Sequence, residues 1–113
     1  MTKNLWLVVG LCFLFVGCAG VSQGGDYWGK YSYTYHDMLK NPGEKSKAAH
    51  EATLRDIIEK SAEKEIRVPP GIHAELAHLL SKKGEDSDAL AQFEEELKHY
   101  PESKIFLERL ISK

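Results

Sequence analysis

The length, composition and charge of the chain disfavour several classes of protein. It has 113 residues, a net charge of −2 and a pI of about 6.2, which leaves room for one domain at most. Hydrophobic residues make up 42% and charged residues 28%, which argues against wholesale disorder and against several membrane spans. A nucleic-acid-binding domain usually has a pI above about 9, so we expect no nucleic-acid partner.

The first 17 residues have the layout of a secretory signal peptide. Lys3 is the only charged residue before Asp26, and it precedes an apolar run, Leu5–Val16, that ends in small residues. As a helix this run would span about 18 Å, well short of the hydrocarbon core of a bilayer at about 30 Å. We therefore predict a removable leader at residues 1–17 and not a permanent transmembrane helix.

The end of the leader, Leu-Phe-Val-Gly-Cys at residues 14–18, resembles the lipobox of bacterial lipoproteins. It departs from that pattern at Phe15, where lipoproteins usually have leucine. The resemblance implies that Cys18 is the lipidation site and that its acyl groups anchor the chain in a membrane. With Ala19 after the cysteine, it also implies sorting to the periplasmic face of the outer membrane. The alternatives are an ordinary signal peptide with an incidental cysteine, or an uncleaved anchor.

The predicted mature chain has no free thiol. Cys12 leaves with the leader and Cys18 is lipidated, which excludes a disulfide, a cysteine nucleophile and a thiolate zinc site. Residues 18–26 are predicted to be the lipidated cysteine and a flexible tether rich in Gly, Ser and Gln, whose reach is about 16 Å. Loss of Lys3 lowers the net charge from −2 to −3, so the acyl groups must supply the attraction to the membrane.

Residues 27–113 are predicted to form an all-α domain that begins with a dense group of aromatic residues. Tyr31, Tyr35, Met38 and Leu39 have the i, i+4, i+7, i+8 spacing of one buried helical face. Packing in the core is therefore one interpretation of the aromatic residues. A partner-binding patch is the other, because tyrosine and tryptophan combine a large apolar body with a polar tip.

Four further helices are predicted, and they pair as antiparallel hairpins. The second helix ends at Glu65 because Pro69 and Pro70 follow, and Gly84 is the expected C-cap of the third. Their predicted ranges are 44–65, 72–82, a helix capped by Asp86 or Ser87 that stops at Tyr100-Pro101, and a last helix at 104–111. The predicted core residues are His50, Leu54, Ile57, Ile58 and Ala62, then Ile72, Leu76, Leu79 and Leu80, then Ala89, Leu90, Phe93 and Leu97, and finally Phe106, Leu107, Leu110 and Ile111.

The stretch from Pro70 to Ser103 is 34 residues long and resembles a tetratricopeptide repeat. Its matching positions are Leu76, Ala77 and Leu80 in the first helix, Gly84 in the turn, Ala89 and Phe93 in the second helix, and Pro101 at the end. His73 replaces a large aromatic residue of the repeat, and Glu96 replaces a small one. The helix pair before this hairpin and the last helix after it are expected to cover its two sides.

Two short motifs support a more specific resemblance over essentially the whole chain. They are Tyr-Trp-Gly-Lys-Tyr at residues 27–31 and Val-Pro-Pro-Gly-Ile at residues 68–72. With the lipobox and the hairpin, they resemble a family of small bacterial outer-membrane lipoproteins of unknown function. Members are typically encoded beside a lipoprotein similar to the curli secretion channel, which implies a shared envelope assembly. The family has no catalytic residues to transfer to this chain.

No residue pattern indicates catalysis, a cofactor or a metal ion. His50-Glu51 would need a second histidine at position 54 for a zinc-protease helix, and Leu54 stands there. His73 and His78 are five residues apart, which places them on different faces of a helix. Glu94, Glu95 and Glu96 are interpreted as a solvated face. We expect neither an enzyme nor a metal site.

The favoured hypothesis is a lipid-anchored adaptor or assembly factor that binds another envelope protein, because helical hairpins of this kind expose a binding surface. The candidate partner-binding residues are Trp28, Tyr31, Tyr33, His73, Leu107 and Leu110. The alternative is a lipoprotein that acts alone and interacts with peptidoglycan, where exposed aromatic rings would stack on sugars.

Overall fold

The computed structural model describes residues 25–112, without the side chains of Leu110 and Ile111, and this part of the chain is all-α. Its helices are α1 (Tyr31–Lys40), α2 (Glu44–Glu63), α3 (Ile72–Lys82), α4 (Asp86–His99) and α5 (Lys104–Ile111), with a short 3-10 helix (Pro101–Ser103) before α5. No strand occurs among the described residues, so the predicted fold class is confirmed. The predicted leader at 1–17, the lipidation site Cys18 and the tether up to residue 24 lie outside the described residues.

Helices α2 and α3 end with the same hydrogen-bonded motif. After α3, Gly84 has a φ of 81°, its amide donates to Ser81 O at 3.0 Å, and the next amide donates to Leu80 O at 3.0 Å. This is a Schellman motif, and it confirms Gly84 as the residue that ends the helix. After α2 the corresponding residue is Glu65, with a φ of 54°. Helix α2 therefore ends at Glu63, two residues before the predicted end.

The core lies between consecutive helices, and α3 and α4 share the most extensive interface. One cluster joins α2, α3 and α4 and consists of Leu54, Ile57, Ile72, Leu76, Leu80 and Ala89. A second joins α3, α4 and α5 and consists of Ala74, Ala77, Phe93 and Leu107. The helical packing positions predicted from the repeat are all buried, and α5 covers the far side of the hairpin through Leu107, as expected.

Several residues predicted to face the core are exposed. They are Tyr35 and Leu39 in α1, Ala62 in α2, Leu90 in α4 and Phe106 in α5. The neighbours of each helix cover only part of its circumference, so apolar residues at the edge of a wide predicted face stay in solvent. In α1 the buried residue is Thr34, and in α2 Ser61 is buried beside the exposed Ala62.

Candidate partner-binding surface

Three aromatic side chains at the start of the domain contact one another. The ring centroids of Trp28 and Tyr31 are 5.4 Å apart in an edge-to-face arrangement, and those of Tyr31 and Tyr35 are 5.7 Å apart and nearly parallel. Trp28 is 42% exposed and Tyr35 is 40% exposed, whereas Tyr31 between them is half-buried. We call these three residues the aromatic patch. Both geometries are favourable for aromatic pairs, which defines the relative positions of the rings.

Tyr33 lies outside the aromatic patch. It is two residues from both Tyr31 and Tyr35, so it points about 200° around α1 from Tyr31. Its side chain is 75% exposed. The first helix therefore shows an ordered aromatic group on one side and a single exposed tyrosine on the other.

A partly buried hydrogen-bond network lies between the aromatic patch and the neighbouring helices. Glu75, in the first turn of α3, accepts a hydrogen bond from the hydroxyl of Tyr31 at 2.6 Å and a second from Nε2 of His50. His50 is completely buried, and its Nδ1 is hydrogen-bonded to Oγ1 of Thr34 at 2.8 Å. The network connects α1, α2 and α3 through side chains alone.

The hydrogen-bond network is in direct contact with the rings of the aromatic patch. The imidazole of His50 also contacts the rings of Tyr31 and Tyr35, at centroid distances of 5.2 and 5.7 Å. Burial, followed by the hydrogen bond to Glu75, raises the pKa of Tyr31 above its ordinary value. The hydroxyl of Tyr31 therefore remains a donor, and the patch is held in one arrangement by partners on three helices.

The segment that precedes α1 is attached to α2 and to the loop after it. Tyr27 donates a hydrogen bond to Asp56 at 3.1 Å, and the Lys64 ammonium lies 5.7 Å from the centroid of its ring. Asp26 accepts a hydrogen bond from Nε of Arg67 at 3.1 Å. The hydrogen bond to Asp56 is also the main reason that the pKa of Tyr27 is raised. These contacts place the start of the domain beside the aromatic patch.

A groove of about 250 Å³ lies between α2 and α3, away from the aromatic patch. Its lining is mostly charged and consists of Glu44, Lys47, Ala48, Glu51, Leu79, Lys82 and Lys83. Lys83 already pairs with Glu51 across the groove, with 3.2 Å between Nζ and Oε1. Such exposed pairs contribute little to binding.

The other residues predicted to bind a partner lie elsewhere. His73 and Leu107 are buried in the α3–α4–α5 region and offer almost no surface to a partner, because both fill space between helices. The side chain of Leu110, like Cys18, lies outside the part of the chain that the structure describes. Trp28 and Tyr31 are thus the predicted residues that the structure brings together.

Comparison with known families assigns the domain. The model of a family described as a domain of unknown function (DUF4810) matches residues 27–110, which is most of the chain. The chain belongs to this family. No curated protein and no solved structure gives a significant match. The expected membership of a family of unknown function is confirmed, while the lipoprotein character and the gene neighbourhood stay predictions.

The family match begins at Tyr27, so the aromatic patch and the hydrogen-bond network both lie inside the DUF4810 domain. Among residues 25–112, none of the helices combines the length and the apolar character that crossing a bilayer requires.

The structural roles of two glutamates in this DUF4810 domain differ from, or are absent from, the prediction made from the sequence. Glu96 was interpreted as part of a solvated face, but it is buried and accepts hydrogen bonds from the amides of Gly71 at 2.7 Å and Ala74 at 3.4 Å. The one sequence feature that indicated a special role for Glu96 is its place at a position where the tetratricopeptide repeat has a small residue. Glu75 gave no signal, because its partners are 25 and 44 residues away.

Proposed function

We propose that the chain is a lipid-anchored periplasmic adaptor or assembly factor that binds another envelope protein through the aromatic patch. Its place is the periplasmic face of the outer membrane, and its complex includes a lipoprotein similar to the curli secretion channel. The role is binding and not catalysis. The lipobox resemblance at Cys18 and the organisation of the DUF4810 domain support this proposal.

The observation on which the proposal rests is that the aromatic patch is partly exposed and yet fixed. Trp28 and Tyr35 offer large apolar surfaces to solvent, while Tyr31 between them is held by Glu75 and by the ring of His50. Aromatic anchors of this kind dominate the free energy of binding in many interfaces. A surface that is ordered before binding loses little conformational entropy when a partner arrives.

The position of the patch suits a partner in the same membrane. Trp28 is ten residues after Cys18, so lipidation there would keep the patch close to the bilayer. A lipid anchor only ten residues away would confine the domain to a thin layer above the lipid. A second lipid-anchored protein would then meet it at a raised effective concentration, which strengthens a modest direct affinity.

Site-specific photo-crosslinking tests the adaptor role. A photoreactive phenylalanine derivative replaces Trp28 in cells, and after irradiation the crosslinked products are isolated from detergent-solubilised membranes and identified by mass spectrometry. The proposal expects one envelope protein to be recovered from position 28 and not from Glu59, an exposed position on α2. Recovery of the uncrosslinked chain alone from position 28 would contradict it.

A matched pair of alanine variants tests whether the aromatic patch is the binding surface. Tyr35→Ala removes one ring of the patch, and Tyr33→Ala removes a more exposed ring from the other side of α1. We expect Tyr35→Ala to lower recovery of the partner at least about fivefold, as loss of about 1 kcal/mol would. Equal losses in the two variants would show that the patch is not the interface.

Intact-mass spectrometry of the protein from membranes tests the anchor. The expected product begins at Cys18 and carries the mass of three acyl chains, which together bind a membrane essentially permanently. The Cys18→Ser variant should lack this mass and leave the membrane fraction. A native chain that starts at another residue without acyl mass would overturn the anchor and the proposed location.

Binding to peptidoglycan is the alternative function that the exposed rings of Trp28 and Tyr33 also allow. Sedimentation of the purified protein with sacculi separates the two possibilities. The adaptor role predicts that the protein stays in the supernatant, whereas a wall-binding lipoprotein would pellet and would lose this property with Tyr33→Ala.

A further inference from the structure

A group of three side chains on α3 and α4 has the composition of a zinc site. His73 lies in the first turn of α3, and Glu95 and His99 are four residues apart on α4. One potential ligand atom from each of these three side chains lies within 4.8 Å of the other two. Residues four apart on a helix share a face, so Glu95 and His99 can bind one ion together.

We propose that His73, Glu95 and His99 form a binding site for a zinc ion. Two imidazoles and one carboxylate are ligands that Zn²⁺ accepts, and sites of this kind leave a fourth position for water or another ligand. The resulting metal bridge joins the beginning of α3 to the end of α4. The proposal is independent of the adaptor role and uses none of the aromatic patch.

The orientation of His73 gives a second, independent argument. His73 is buried, and its Nδ1 is 2.7 Å from Oε1 of Gln92. A carboxamide oxygen only accepts, so Nδ1 donates the hydrogen bond and the lone pair of the ring lies on Nε2. Histidine ligands of zinc typically donate their second N–H to an oxygen in this way, which sets the tautomer and the orientation of the ring.

The distances require only a small movement. Atoms bound to one tetrahedral zinc ion at about 2.1 Å are about 3.4 Å from each other. The Nε2 atom of His99 and an Oε2 atom of Glu95 are already 3.5 Å apart. The rings of His73 and His99 are nearly parallel, with centroids 6.0 Å apart. Because His99 is exposed and Glu95 is half-buried, their side chains can rotate toward the buried His73 without displacing the core.

Sequence spacing alone could not reveal this site. His73 and His78, the pair on α3, do not share a face, and the second histidine of the site comes from another helix. The fold brings His99 to His73 because the end of α4 lies beside the beginning of α3, where Glu96 also bonds to Gly71.

Calorimetric titration of the full chain with Zn²⁺ in detergent tests the proposal. Cys12 and Cys18 are replaced by serine in every sample, because free thiols bind zinc themselves. We expect one equivalent of zinc to bind. The His99→Ala and Glu95→Gln variants should bind at least about tenfold more weakly, and Gln92→Ala about tenfold more weakly.

The control is His78→Ala, which removes an exposed histidine from the same helix as His73 and should leave the affinity unchanged. Zinc should also raise the melting temperature of the parent chain and not that of His99→Ala, since binding to the native state stabilises it. Absence of stoichiometric binding, or equal affinity in the parent and in His99→Ala, would overturn the site. Circular dichroism shows whether each variant is folded.

Discussion

The carboxylate of Glu96, near the end of α4, accepts a hydrogen bond from the amide of Gly71 at the beginning of α3, with 2.7 Å between the two atoms. A second bond, from the amide of Ala74, satisfies another free donor of the same helix end. An acidic side chain from a neighbouring helix thus caps α3, and its negative charge lies at the positive end of the helix dipole.

This cap leads to a first prediction, for a pair of glutamates two residues apart. Glu96→Ala should lower the free energy of unfolding by about 2 kcal/mol, because the amides of Gly71 and Ala74 lose an acceptor that is itself buried. Glu94→Ala removes an exposed carboxylate and should change the same quantity by less than about 0.5 kcal/mol. Urea unfolding followed by circular dichroism measures both. Equal effects would show that Glu96 is not a cap.

The second prediction concerns the network that contacts the aromatic patch. Glu75→Ala leaves the hydroxyl of Tyr31 and Nε2 of His50 without their acceptor, so we expect the free energy of unfolding to fall by about 2 kcal/mol. Trp28 packs on Tyr31 and is the only tryptophan after residue 17, so in a chain expressed without residues 1–17 the variant's tryptophan emission should shift to longer wavelength. Glu59→Ala, at an exposed site of α2, is the control. An unchanged emission spectrum of Trp28 in Glu75→Ala would show that the network does not hold the aromatic patch in place.

The third prediction compares the two helix ends that share one motif. Glu65 has a positive φ, which residues other than glycine rarely adopt. Glu65→Gly should therefore stabilise the domain by about 0.5–1 kcal/mol. Gly84 has the same role after α3. Gly84→Ala should therefore destabilise the domain by about 1 kcal/mol. Thermal unfolding of the two variants measures both changes. Shifts of the same sign would contradict the assignment of the motif.

The fourth prediction is a loss of stability at alkaline pH. Burial and the bond to Glu75 raise the pKa of Tyr31 in the folded state, and burial also raises that of Tyr100. The folded state holds these protons more tightly than the unfolded chain, in which the tyrosine pKa is about 10. The contribution of the two tyrosines to the free energy of unfolding is therefore fully present below about pH 10 and decreases as the pH rises above it. Urea unfolding at pH values from 8 to 11.5 should show this decrease.

A pair of phenylalanine variants separates the contribution of Tyr31 from the rest. Tyr31→Phe should make the decrease above pH 10 smaller, because one raised pKa has been removed. Tyr33→Phe removes an exposed hydroxyl on the opposite side of α1 and should leave the curve as it is in the parent chain. If Tyr31→Phe has the same pH dependence as the parent, the link between this tyrosine and stability is wrong.

Much of the fold could be predicted because it depends on local spacing. Leu76 and Leu80 in α3, like Ala89 and Phe93 in α4, are apolar residues one helical turn apart, and glycine at position 84 ends a helix by its backbone freedom. These properties are determined by residues close to each other in the chain. The widths of the buried faces were overestimated, as Leu90 shows, because spacing does not reveal how many neighbours a helix has.

The candidate surface was only partly predictable. Trp28 and Tyr31 stood out by their density near residue 30, but the sequence did not distinguish them from Tyr33, which lies on the other side of the helix. The burial of His73 depends on which helix covers it, so the prediction that it lies on a binding surface is wrong. Leu107 is predicted both to face the core and to bind a partner, and its burial supports the first of these.

The amino-acid sequence alone determined that this is a small helical domain and where most of its helices begin and end, because periodicity and helix-ending residues act over a few positions. The end of α2 is an exception, two residues before the predicted one. The sequence also determined the leader-like segment and the resemblance at Cys18. Only the tertiary structure decided the partners of Glu75, Glu96 and His73. Each of them bonds to a residue on another helix, and the position of that helix follows from the packing of the whole core.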